Sequence, residues 1–122
     1  MGRIISLHEY ELKNTVEARQ FEQAVREAID RGLFLLPGLE EYRFLKGLRG
    51  SRAGKYAALW IYRNQADWEA LWGPVTRPRP KSEYPAGWQV WEDEILKPLL
   101  DRAPDKINYT AYRELDLARI GT

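Results

Sequence analysis

Cysteine is absent from this 122-residue chain, and histidine occurs once, as His8. Without thiols there is no disulfide, no thiolate nucleophile and no cysteine-held metal, and one imidazole cannot build a histidine-rich metal site. An excess of charge of either sign is also missing. Nineteen basic side chains face eighteen acidic ones, for a net charge of +1, which argues against nucleic acid or an anionic membrane as the main partner. Long apolar runs are lacking too. The opening MGRIISLHEYE turns polar after a few residues, too soon for a signal-peptide core, and no segment is long enough to span a bilayer. A cytoplasmic location is the expectation.

What the chain does have is tryptophan concentrated in one stretch. Its five tryptophans, Trp60, Trp68, Trp72, Trp88 and Trp91, all lie between positions 60 and 91. Large rings dominate cores and small-molecule pockets alike. Hydrophobic residues make up 44%, enough for one globular domain over residues 1–122.

The pattern along the chain predicts a strand at 3–12, where β-branched and aromatic residues cluster. Asn14 with Glu17 reads as a helix start. The helix that follows places Val16, Phe21, Ala24, Val25, Ala28 and Ile29 on one stripe, and it should end near Gly32. A second strand is expected over 40–47, then the glycine-rich GLRGSRAG, then a third strand in KYAALWIYR. From Tyr56 to Tyr62 that strand shows no polar alternation, so both of its faces call for cover, and a second copy of the same sheet would supply it. Asn64 with Asp67 repeats the cap signature and opens DWEALW, which stops at Gly73-Pro74. A proline-rich loop and a helix form an insertion at about 74–104; the helix, about 86–96, has Trp88, Trp91 and Ile95 on one face. INYTAYREL reads as the last strand. The order β-α-β-β-α-(α)-β is the ferredoxin-like split βαβ of the α+β class, with an antiparallel sheet.

Two stretches, LHEYELKNTVEARQFEQAV and ALWIYRNQADWEAL, resemble the first strand and helix, and the third strand and second helix, of the dimeric α/β-barrel proteins. Branches of that superfamily include the antibiotic-biosynthesis monooxygenases and the NIPSNAP-like proteins. The resemblance implies a homodimer with two sheets packed face to face, and a ligand held between each sheet and its own helices. It points to His8, Tyr62 and the Leu71-Trp72 pair as pocket positions. Several branches carry a haem-ligating histidine near the end of the second helix. Here Leu71 and Trp72 stand there, so no haem or other cofactor is expected. Residues 74–104 have no counterpart in the resemblance.

Strand parity puts His8, Tyr10 and Leu12 on one face and Leu7, Glu9 and Glu11 on the other. His8 is the candidate catalytic residue, a base or hydrogen-bonding group; the competing reading is a neutral histidine satisfied within the core. Tyr10, Tyr62, Trp72 and Trp91 are candidate ligand-binding residues, with Trp60 and Trp68 assigned to the core. The Lys46–Lys55 stretch fails as a phosphate loop, because it joins two strands and Lys55 is followed by Tyr56. Glu9 and Glu11 are expected to pair with Arg43 or Arg113 across strands, and Glu92-Asp93-Glu94 to be a solvated cluster. The function expected is binding of a small hydrophobic or aromatic molecule; the alternative is a cofactor-independent monooxygenase acting on an aromatic or polyketide-like compound.

Overall fold

The computed structural model describes residues 2–117. Strand β1 (Ile4–Tyr10) is followed by helix α1 (Ala18–Asp30), β2 (Leu39–Lys46), β3 (Tyr56–Tyr62), α2 (Gln65–Trp72), α3 (Ala86–Val90) and β4 (Asn108–Arg113). Helix α3 runs directly into a π-helical segment, Trp91–Leu96. The strands form one antiparallel sheet in the order β2-β3-β1-β4. This is the expected α+β, ferredoxin-like arrangement, with β1 and β3 at the centre.

Pleating decides which residues meet the helices. On β1, Ile4, Ser6 and Tyr10 are buried beneath them. His8 shares their side and sits between Ala58 of β3 and Tyr109 of β4. Helix α1 lays Phe21, Val25 and Ala28 on this surface, with Phe21 stacked on Tyr56 at 4.5 Å between centroids. Phe34 meets both Trp60, at 5.0 Å, and Trp91, at 4.9 Å, near right angles. Such ring pairs add about 0.5–1.5 kcal/mol each to their area burial.

The apolar third strand is covered on one side only within the chain. Tyr56, Ala58, Trp60 and Tyr62 are buried, whereas Ala57, Leu59 and Ile61 are half-buried. The register places Leu59 beside Leu7, and Ile61 beside Ile5, which in turn pairs with Tyr112. An apolar band therefore crosses the helix-free face of the sheet.

Two local expectations need correction. Helix α1 starts three residues later than Asn14 suggested, with Glu17 as its cap, and the Glu17 N–H donates to Gln20 Oε1 at 2.7 Å. The Asn64 cap stands as read: its Oδ1 accepts from the Asp67 N–H at 2.8 Å. Glu9 and Glu11 do not pair with Arg43 or Arg113. Arg52 and Lys55 fold inward from the β2–β3 hairpin, and both bind Glu11, Lys55 at 3.0 Å. Glu9 accepts from Asn108. Burial works against the Glu11 carboxylate, but Lys55 and Arg52 outweigh it and hold its pKa below the usual range. Arg43 instead pairs with Glu41 on its own strand, and Arg113 donates to Gln65. The β2–β3 connection thus carries its cations to Glu11, while the neighbouring strand β4 supplies Asn108 to Glu9.

Candidate functional site

A cavity of about 230 Å³ lies between the sheet and the helices, beside Ser6 and His8 of β1 and Tyr62 at the end of β3. Helix α2 contributes Trp68 and Trp72. Gly73 ends that helix at φ +92°, and a Cβ there would fall 2.7 Å from the Arg79 backbone nitrogen. Only glycine permits this turn, and it brings Pro74, Val75 and Pro78 to the cavity. The insertion then returns Tyr84, Trp88 and Glu92 to the same space, and Pro104, Asp105, Ile107 and Tyr109 complete it. The segment without a counterpart in the resemblance is thus much of the enclosure.

The His8 imidazole packs against Trp60, Trp88 and Tyr109, at 5.7 to 6.1 Å between centroids. Its Nε2 lies 3.1 Å from the Ser6 hydroxyl. Burial pushes its pKa down to about 4, with no carboxylate close enough to hold the proton on. The ring is therefore neutral at physiological pH. Burial likewise raises the Tyr62 phenol far above its ordinary pKa, with the Trp72 indole acting weakly the other way. Tyr62 is a permanent hydroxyl.

His8, Tyr62 and Trp72 come together on this cavity. Tyr10 and Trp91 do not reach it. Tyr10 shares the side of His8 but lies further along the strand, packed on Phe21 and Trp91, and Trp91 has no exposed surface. Both are core residues, as is Leu71. Trp68, expected in the core, lines the cavity.

Ser6, Tyr84, Trp88 and Glu92 were missed as site residues. Glu92 is the sharpest departure, because the expected solvated cluster contains a carboxylate that is only 7% exposed. Glu92 stands one turn after Trp88, within the wider π turn that begins at Trp91, and such turns recur at functional positions. Burial raises the Glu92 pKa, opposed by Lys81 and by the Trp88 indole.

Among the described residues that line the cavity, His8 is the one imidazole, and its Nε2 faces the Ser6 hydroxyl.

No protein-family model and no curated protein matches this chain. Its fold is shared with solved structures. Hydroxynitrile lyase from Passiflora edulis is similar with a TM-score of 0.64 at 11% identity, over 97% of this chain and 98% of that one. A dimeric ferredoxin-like protein of unknown function from Thermobifida fusca gives 0.59 at 15% identity, over 93% and 92%. SnoaB, a cofactor-independent oxygenase from Streptomyces nogalater, gives 0.58 at 7% identity over the whole of both chains. At such identities the likeness establishes the fold alone, a ferredoxin-like one. The same scaffold carries unrelated chemistries.

Proposed function

We propose that this protein is a homodimer, joined through the helix-free faces of its sheets, in which each protomer binds a compact hydrophobic or aromatic molecule beside His8. The observation that carries the binding reading is a neutral, half-buried imidazole set into an aromatic cavity and held by Ser6. Ligand sites have this composition: apolar walls with a few polar groups in set positions. At about 230 Å³ the space suits a one- or two-ring compound better than a multi-ring one, since drug-sized pockets run from about 300 to 1,000 Å³. The dimer is supported by the apolar band on the open sheet face and by the dimeric neighbour.

The tryptophans give this reading an internal control. Titration with benzyl alcohol, followed through the five indole N–H signals by NMR, should move Trp68, Trp72 and Trp88 saturably and leave Trp60 and Trp91 still. Movement of all five together, or none, would remove the reading.

Catalysis is the second reading, and the neutral His8 beside Ser6 favours it, because a general base must be free of its proton. In a cofactor-independent oxygenase such a base would draw a proton from an acidic substrate. A conjugate-acid pKa of about 4 makes His8 a weak base, which ranks binding ahead of proton abstraction. Oxygen uptake with an anthrone, lost in His8→Ala, would reverse that ranking.

A further inference from the structure

The cavity has more specific chemistry than apolarity alone. Two carboxylates, Glu92 and Asp105, are among the described residues that line it, and no lysine or arginine is. Glu92 is buried, and its Oε1 makes no hydrogen bond of ordinary geometry. The nearest cation, Lys81, stands 3.5 Å from that oxygen and is shared with Asp93, to which it is hydrogen-bonded. One positive charge thus serves two negative ones, and Asp105 at the rim adds a third. After burial, Glu92 and Asp105 both act to keep the Tyr84 phenol protonated, against Lys81.

The rings are arranged to match. Trp72 meets Tyr84 at 88° and Trp88 at 63°, with centroids 5.1 and 5.3 Å apart, so the three rings lining the cavity form one contiguous group whose planes stand at steep angles to each other. A group of aromatic faces beside carboxylates recognises organic ammonium groups, through the negative face of each ring and the charge beyond it. An anionic ligand would find only repulsion from the two carboxylates.

We propose that the ligand of this cavity carries a substituted ammonium group, held by Trp72, Tyr84 and Trp88 and paired with the buried Glu92 carboxylate. This rests on the preceding reading that the cavity is a binding site, and it names the class of molecule. Neutral His8 adds a polar contact without opposing charge.

Calorimetric titration of the intact protein with benzyltrimethylammonium chloride and, separately, with benzyl alcohol tests it. The expected result is at least about tenfold tighter binding of the cation, in line with a desolvated cation–aromatic contact. In Glu92→Gln that ratio should collapse toward one. In Tyr84→Leu, a variant that leaves Glu92 in place, it should fall severalfold. If benzyl alcohol binds as well as the cation, the ammonium assignment is overturned while the binding reading survives. If neither binds, both fall. A ratio unchanged in Glu92→Gln would also overturn the proposal, since the selectivity would then come from elsewhere.

Discussion

Ser6 Oγ and His8 Nε2 lie 3.1 Å apart, two residues along one side of a central strand. A β pleat returns to the same face every second residue, so the contact follows from spacing and needs no loop to create it. Ser6 is buried, and its partner on the ring is part of the cavity wall. Ser6→Ala should lower stability by about 1 kcal/mol, the low end for stranding a polar atom, because the cavity can admit water to the freed nitrogen. Urea unfolding measures this; a loss above about 3 kcal/mol would mean the serine does more than hold the ring.

His8 should make stability depend on pH. Its pKa is near 6.5 when unfolded and about 4 when folded, so between these values the unfolded chain binds the extra proton. Stability contributed by the neutral ring is then complete above pH 6.5 and is lost as pH falls toward 4, by up to roughly 3 kcal/mol. Against the ring stand Ser6 and the Trp60, Trp88 and Tyr109 rings, and Glu92 and Asp105 lie elsewhere on the cavity lining, all unchanged in His8→Phe. Denaturation midpoints of that variant should fall less than the wild type's between pH 7 and 4.5. Parallel curves would show that the imidazole titrates normally in the fold.

Leu59 and Ile61 should govern assembly. They lie half-buried on the helix-free side of β3, within the apolar band that includes Ile5 and Leu7. Light scattering at micromolar concentration should report twice the 14.3 kDa chain mass for the wild type, and the single-chain mass for Leu59→Lys/Ile61→Lys. A wild-type particle of 14.3 kDa would sink the paired-sheet arrangement.

Gly73→Ala should damage the cavity without touching the aromatic core. A side chain at φ +92° is strained, and its Cβ would crowd the Arg79 backbone, so a cost of about 1–3 kcal/mol is expected. Because this turn delivers Pro74, Val75 and Pro78 to the cavity, the Trp72 indole signal should shift while that of Trp91 holds its position. Wild-type stability with an unmoved Trp72 would contradict the role given to this glycine.

The fold was legible where spacing is short and regular. Parity put His8 on the helix side of its strand, and the three-residue offset from Asn64 to Asp67 marked the start of α2. Parity also placed Tyr10 on the correct side but could not say how far along the strand the cavity extends. That is set by where α2 and the insertion come to rest. Glu92 follows Trp88 by one helical turn, but three adjacent carboxylates read as solvated from composition, and only the packing of the insertion buries one of them. The ring type of Trp91 suits a cavity, while its depth is set by Tyr10 and Phe34 packed against it. The Arg52–Glu11 pair has no counterpart in strand patterning, because it depends on how the β2–β3 connection folds back on the sheet.

The division of β1 into two faces limits how this sequence can change over time. Substitutions at Ser6 or His8 alter what the cavity accepts, while substitutions at Ile5 or Leu7 alter only the open side. The two can drift separately. Gain or loss of one residue within Ile4–Tyr10 is a different matter, because it exchanges every side chain beyond it between faces and would deliver Glu9 to the tryptophans and His8 to the open side. Across homologues, the length of this strand should be held more strictly than any residue in it.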